Sequence, residues 1–415
     1  MRISAVPDAA DVDLEKIDLF DPLLYSDGDP HPIWTAMRQR APLHRQVLPD
    51  GRQFWSVTRH GDACRVLSAH REFSSERGSL LHQLGKGDAA SGKMLVSADP
   101  PRHSELRGPL NRMFSAKAVA SAEPRIRRAV LATLPPPGHS GPWDVATSAA
   151  LLPMAVAASF MAFPEEDWVD LVQWTSMAAA PEDPSFRVSS PAATLAIAHH
   201  QLFDYFAKHM RHRRANPGED VVSYLTTMRA GSEQLTDEEV VYNCYSLLLG
   251  ANATTPHTVA GTILAMAEHA PHFLRHGDAD GTRVPLLIEE GLRWTSPASS
   301  FLRHAVQDVT LSGGTVREGD AVVVWVGSAN RDEEVFSEPF RFDLTRDAGR
   351  HIAFGFGPHY CLGSALARIA LRIYFSEFLR RFAGAELAGD PVHLRSNFIA
   401  GLVHLPMSLV PRAGT

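Results

Sequence analysis

Of the three cysteines in the chain, Cys64, Cys244 and Cys361, only Cys361 sits in a setting suited to chemistry. The run His351-Ile-Ala-Phe354-Gly355-Phe356-Gly357-Pro358-His359-Tyr360-Cys361-Leu362-Gly363 places it after two glycines and directly before a helical pattern that begins at Ser364. Glycine permits a tight turn with N–H groups pointing inward, and a helix N-terminus adds partial positive charge, so the thiol pKa is expected to fall. A thiolate is a metal ligand or a nucleophile. A dinucleotide fingerprint is excluded, because Tyr360 stands where the third glycine of Gly-x-Gly-x-x-Gly belongs. A nucleophile paired with His359 or His351, and a buried structural cysteine, both remain open on spacing alone.

A second constellation is Gly250-Ala-Asn-Ala-Thr-Thr-Pro256. It lies inside a helical pattern that begins at the capping box Thr236-Asp-Glu-Glu239 and, if continued to His269, spans roughly 50 Å. Gly250 weakens that helix and Pro256 removes the N–H that would bond the Asn252 carbonyl, so a local opening is expected beside Thr254. A kink in an ordinary packing helix is the plainer alternative. A third constellation is Glu290 and Arg293, at i and i+3 on one helix face, with Pro339, Arg341 and Phe342 further along the chain. Taken alone, such a pair is an exposed contact of little energetic weight.

Taken together, these residues resemble the cytochrome P450 family. The haem-binding loop of that family, Phe-x-x-Gly-x-x-x-Cys-x-Gly, is matched by Phe354, Gly357, Cys361 and Gly363. Its Glu-x-x-Arg pair is matched by Glu290 and Arg293, and its Pro-x-Arg-Phe element by Pro339, Arg341 and Phe342. The segment Asp99-Pro-Pro-Arg-His103-Ser-Glu-Leu-Arg107 is similar to the family's helix that offers His and Arg to a haem propionate. The match covers most of the chain from Asp99 onward and is loose over residues 1–98.

The resemblance implies a single-domain P450 fold over residues 1–415, mainly α with small β-sheets and a long central helix over the haem. It implies haem b, with Cys361 as the iron ligand and Phe354, Gly355, His359 and Gly363 shaping the loop around it. It further implies that His103, Arg107, Arg303 and His351 contact the propionates, and that Glu290, Arg293 and Arg341 form a buried triad. Forked guanidinium donors suit buried carboxylates. Thr254 falls at the oxygen site, but Ala253 stands where the family usually has an acid. With no carboxylate at 253, protons needed for oxygen activation are expected to pass through Thr254 and water, with Asn252 or the substrate assisting.

The activity so implied is a monooxygenase that oxidises, foremost by hydroxylation, a small or medium organic substrate in bacterial secondary metabolism. Electrons would come from NAD(P)H through a ferredoxin and its reductase, consistent with the absence of a flavin or nicotinamide fingerprint in the sequence. Substrate contacts are expected from 80–96, 178–188, 247–251, 297–302 and 398–402. Leu247, Leu248, Ala251, Phe301 and Ile399 would form an apolar lining and Ser299 and Ser300 polar anchors. A carrier-tethered substrate fits the same picture. The missing acid keeps open a haem-thiolate enzyme of non-standard chemistry, using peroxide, nitric oxide or oxidative coupling, and a non-catalytic haem-binding protein is the alternative outside enzymes.

Composition sets the frame for these residues. Hydrophobic residues at 45% and charged residues at 21% of a 415-residue chain supply a sizeable core. A net charge of −7 leaves no basic stripe for a phosphate backbone, so nucleic acid is not expected as a partner. The acidic N-terminus lacks a signal-peptide core, and the apolar stretch 149–163 is broken by Pro153 and Ser159 and falls short of the roughly 18 residues of a membrane span. A cytoplasmic monomer is expected. Apolar periodicity predicts helices at 31–40, 60–70, 101–113, 116–133, 165–179, 192–213, 236–269, 284–294 and 362–382. Strands are predicted at 53–58 and as a pair, 305–311 with 321–326, joined through the turn at 312–314.

Overall fold

The computed structural model describes residues 8–278 and 281–413. Its principal helices are α1 (His31–Arg40), α2 (His60–Ser68), α3 (Arg102–Met113), α4 (Ala116–Thr133), α5 (Val145–Met161), α6 (Trp168–Ala179), α7 (Pro191–Ala215), α8 (Asp237–Asn252), α9 (Thr255–His269), α10 (Val284–Thr295) and α11 (Ser364–Arg381). Their starts follow from side-chain caps. Ser115, Asp144 and Ser190 each accept an N–H from the first turn of α4, α5 and α7, and Pro191 opens α7 where no N–H is needed. The predicted capping box forms at α8: Glu239 N–H donates to Thr236 Oγ1 at 3.2 Å, and Thr236 N–H donates to Glu239 Oε2 at 2.8 Å.

Two helical expectations change. The 236–269 helix is broken, since α8 ends at Asn252 and α9 starts anew at Thr255 with Pro256 in its first turn. Thr254 between them has left helical geometry, with φ −124° and ψ −50°. The apolar stretch that was set aside only as too short for a membrane is α5, which is buried along most of its length with Pro153 inside it. A helix apolar all round shows no amphipathic period, which is why the pattern gave no signal there.

Strand pairing also differs from expectation. The main sheet contains β1 (Leu43–Val47), β2 (Gln53–Val57), β3 (Phe73–Ser74), β4 (Ser300–Ala305) and β5 (Ala321–Trp325) in the order β1-β2-β5-β4-β3. β5 pairs antiparallel with β4 and parallel with β2. The turn at Ser312–Gly313 closes only a small hairpin of Val309–Leu311 with Gly314–Val316, and Gly313 takes φ +104° to do so.

The largest core cluster joins α4, α5, α8, α9 and α11. α9 packs against α5 and α10, and α11 against α4. The cysteine loop lies just before α11, and the break between α8 and α9 is held in the same body of helices.

Candidate thiolate site

Backbone hydrogen bonds fix the cysteine loop. Cys361 N–H donates to the Phe354 carbonyl at 2.8 Å, Gly355 N–H to Ile352 at 2.9 Å, and Tyr360 N–H to Gly357 at 3.0 Å. Gly355 and Gly357 both take positive φ, +74° and +73°. Gly357 has a further constraint: a Cβ there would lie 2.5 Å from the Cα of Ser68, so the loop is pressed onto the end of α2. The ring of Phe354 lies under the Arg368 guanidinium, 4.6 Å from the ring centroid.

Gly363 N–H donates to the thiol of Cys361. Burial nevertheless pushes that thiol above its ordinary range, outweighing the Gly363 N–H and the charges of Arg107 and Arg368. This corrects the expectation of a lowered pKa. The Gly363 N–H and the guanidinium groups do not offset that burial, whereas a cation bound at the sulfur would favour the thiolate. Cys244 and Cys64 are raised by burial too, Cys64 to about 11, and neither has a glycine loop around it.

Beside the thiol the structure gathers His103, Arg107, Arg303 and His359. The rings of His103 and His359 are 4.3 Å apart, and His359 Nε2 meets Ser75 Oγ at 3.2 Å. Among the described residues, His103 Nε2 is buried without a hydrogen-bond partner. Arg303 is 4% exposed, and among the described residues its one side-chain hydrogen bond is to the neighbouring Leu302 carbonyl at 2.8 Å. Arg107 donates to Asn111 Oδ1 at 3.1 Å and reaches the Pro358 carbonyl at 3.5 Å. Burial, reinforced by neighbouring cations, pushes His103 down to about 4 and His359 to about 2, and burial brings Arg303 down to about 10 despite the nearby Asp99. Under-used cationic donors converging in the interior call for an anionic partner.

These residues fit an iron porphyrin. The thiol supplies a soft ligand, the four cationic or imidazole groups match two propionates, and a Cβ on Gly250 would meet nothing within 4 Å, which leaves room for a flat group against α8. His351 is not part of this set and is corrected. Its Nδ1 accepts the Ala353 N–H at 3.2 Å, so Nε2 carries the proton and donates to Glu289 at 3.0 Å. Both nitrogens are committed. Glu289 also receives Arg368 at 2.7 and 2.9 Å, and the three residues form a clamp beneath the loop.

At the helix break Thr254 Oγ1 donates to the Gly250 carbonyl at 2.9 Å. The hydroxyl bonds back to the carbonyl four residues upstream, while the Asn252 carbonyl is the one left without a donor by Pro256, and the hydroxyl oxygen remains an acceptor. Asn252 is not beside it. The Asn252 amide donates to Thr175 Oγ1 at 3.2 Å and contacts Met154 Sδ at 3.6 Å, between α5 and α6. One helix position turns a side chain by about 100°, which explains why neighbours in sequence face different partners here.

Glu290 and Arg293 form the expected pair, both 0% exposed, with Arg293 Nε and Nη2 on the two carboxylate oxygens at 2.7 and 2.8 Å. The third member is corrected from Arg341 to Arg346. Arg341 is 63% exposed and pairs with Glu338, giving the site only its backbone carbonyl, 3.4 Å from Arg293 Nη2. Arg346 is 8% exposed with its Nε 3.5 Å from Glu290. Asp343 caps the turn between them by accepting Thr345 N–H and Oγ1–H, and this returns the chain to Glu290.

The expected substrate residues divide. Ile399 is buried in an apolar cluster with Ala179, Ala180 and Ala253, and Leu249 and Phe398 pack against it. Phe301 is partly buried, 6.4 Å from the Phe398 ring. Leu247 and Ala251 are partly buried against the main core. Leu248 is fully buried there, and Ser300 donates to the Asn397 carbonyl at 2.9 Å. Ser299 is 0% exposed, with its oxygen on the side of Gly327 and Trp34. Leu248, Ser299 and Ser300 are therefore corrected to structural positions. Leu249 lies within the expected stretch 247–251, and Ala253, four residues on, continues the same helix face.

The fold and site together define a haem-thiolate monooxygenase. The Cytochrome P450 family model matches residues 283–406. Cytochrome P450 NovI of Streptomyces niveus is 32% identical, over 98% of this chain and 100% of the relative. Linalool 8-monooxygenase of Pseudomonas putida is 31% identical, over 96% and 100%. Among solved structures, P450 OxyD, involved in the biosynthesis of vancomycin-type antibiotics, matches with a TM-score of 0.83 at 33% identity, over 95% of this chain and 100% of that one. The chain belongs to the cytochrome P450 family. No helix among the described residues is long and apolar enough to cross a membrane.

Proposed function

We propose that residues 1–415 form one cytoplasmic, monomeric haem b unit that hydroxylates a small or medium organic substrate of secondary metabolism, with electrons passed from NAD(P)H through a ferredoxin and its reductase. The observation that carries this reading is the convergence of the Cys361 thiol with His103, Arg107, Arg303 and His359. The bound haem iron supplies the oxygen chemistry. Cys361 would hold it, Arg303 and Arg107 would neutralise the propionates, and the neutral imidazoles of His103 and His359 would help orient them. The packed helices α5, α8 and α9 exclude bulk water from the site, which strengthens those contacts.

Proton handling falls to Thr254. The Gly250 carbonyl fixes its hydroxyl proton, so its oxygen acts as an acceptor that would hold a water or a substrate group in place for proton delivery. Ala253 has no acid to replenish it and Asn252 faces elsewhere, so a substrate group or ordered water takes that part.

Two substitutions test this reading. Cys361→Ser is expected to abolish the red-shifted Soret band of the reduced carbon monoxide complex, while Cys64→Ser and Cys244→Ser retain it. Thr254→Val is expected to keep the band but lower product per NAD(P)H oxidised, with peroxide rising. An intact band in Cys361→Ser sinks the thiolate assignment, and unchanged coupling in Thr254→Val removes the hydroxyl from the relay.

A further inference from the structure

The apolar cluster beside Thr254 draws on two segments far apart in sequence, and one buried carboxylate joins them. Residues 396–400 carry Phe398 and Ile399. On one side they are laced to the approach to β4: Ser299 N–H donates to the Phe398 carbonyl at 2.8 Å, Ala400 N–H to Pro297 at 2.9 Å, and the Ser300 hydroxyl to Asn397 at 2.9 Å. On the other they meet the end of α6. Ser396 Oγ accepts the N–H groups of Phe398 and Ile399 at 3.2 and 3.1 Å and donates to the Ala179 carbonyl at 3.5 Å. Asp183 completes this edge, since its Oδ2 accepts the Arg395 N–H at 2.7 Å across 212 positions of sequence.

Asp183 also organises its own turn. Its Oδ1 accepts the Ser185 N–H at 2.8 Å, its N–H donates to the Ala180 carbonyl at 3.1 Å, and its carbonyl receives the N–H groups of Phe186 and Arg187 at 3.1 and 2.9 Å. The turn brings Phe186 against Ala253 and Ile399, where Leu249 and Phe398 also pack. At 2% exposed, the carboxylate is stable only where donors meet it, and its two oxygens are met by backbone N–H groups of different segments. Phe186 and Phe398 are thereby tied to one side chain. The polar groups around Phe398 are already committed to backbone, with Ser396 and Ser300 bonded as above and the Asn397 amide donating to the Phe20 carbonyl at 2.7 Å. This wall offers hydrocarbon and aromatic surface, which discriminates by shape.

We propose that Asp183 is a positioning residue for substrate specificity: by holding the Ser185 and Arg395 N–H groups together it sets how Phe186 and Phe398 stand to each other, and so selects a rigid, uncharged, ring-bearing apolar group. The proposal rests on the monooxygenase reading, because Ala253 sets this wall beside Thr254 and the substrate must be oxidised there. Without the carboxylate the two segments lose their shared anchor, while the cysteine loop and its cationic neighbours keep all of theirs.

The test compares imidazole with 4-phenylimidazole as ligands of the ferric haem-loaded chain, titrated through the Soret band. Imidazole probes access to the iron, and the added phenyl must pack against the walls above it. Wild type is expected to bind 4-phenylimidazole about tenfold or more tightly than imidazole. Asp183→Ala, which frees both N–H groups, should cut that ratio by about fivefold or more, and Asp183→Asn, which keeps one acceptor oxygen, should fall between. Imidazole affinity and the carbon monoxide Soret band should stay as in wild type. A wild type without the preference, a ratio unchanged in Asp183→Ala, or an equal weakening of both azoles overturns the proposal. If Asp183→Ala does not fold, Asp183→Asn and Ser396→Ala decide, and a ratio unchanged in both overturns it. A wild type that lacks the thiolate band signals instead that the monooxygenase reading itself has failed.

Discussion

The Glu290 carboxylate has no exposure and accepts hydrogen bonds from Arg293 and the Asp343 N–H, with Arg346 as a second cation. Removing one member of such a group leaves a buried charge without its partner, so Glu290→Ala is expected to lose roughly 3–5 kcal/mol of stability. Arg346→Ala should cost more than about 1 kcal/mol, whereas Arg341→Ala should stay within about 0.5 kcal/mol. Denaturant midpoints of haem-loaded protein decide this, and equal losses for the two arginines would return Arg341 to the triad. The sequence carried Glu290 and Arg293 plainly, since helical spacing alone puts them together. It could not choose between two arginines five residues apart, because the choice depends on the turn capped by Asp343. The partner of His351 was equally hidden: its residue type suits a propionate, but the structure pairs it with Glu289.

At the scale of elements, the loop and the helix break were legible because glycine and proline limit the backbone wherever they stand. Pro256 ends one helix and starts another, and Gly357 admits a contact that no side chain allows. Gly357→Ala must adopt positive φ and also move α2, since its Cβ would fall 2.5 Å from Ser68 Cα. Gly355→Ala meets only the His359 carbonyl at 3.6 Å and carries the backbone strain alone. Both are expected to destabilise by upwards of about 1 kcal/mol, Gly357→Ala by distinctly more and with loss of haem. Haem content per folded chain and thermal midpoint measure the difference, and a Gly357→Ala no worse than Gly355→Ala would show that the loop is free to lift from α2. What the pattern hid were α5, buried all round, and the partner of β5. A strand apolar on both faces fits several neighbours, and here β2, with Trp55 opposite Val322, takes one edge of β5 while β4 takes the other.

Across the whole molecule, the segments that enclose the thiol are far apart in sequence and must be held from outside the loop as well as within it. Glu289 does this by binding His351 ahead of the loop and Arg368 in α11 behind it, with its own side chain 25% exposed. No sequence pattern marked it, since it is simply the residue before the recognised Glu290. Burial raises its carboxyl, but hydrogen bonds from Arg368 and His351 and the Arg368 charge outweigh burial and hold it at about 2, against an ordinary 4.5. A carboxylate depressed in the folded state contributes stability that is fully present above its unfolded value and is lost as pH falls toward its folded value. The clamp should therefore be intact above about pH 4.5 and fail progressively down to about pH 2. Glu289→Gln keeps the size and an acceptor oxygen but removes the titration. It is expected to be less stable than wild type at neutral pH and to converge with wild type as pH falls through that window. Urea midpoints from pH 7 to 2 follow both proteins, and a difference between them that stays constant with pH would mean that Glu289 does not link the two sides of the loop through its charge.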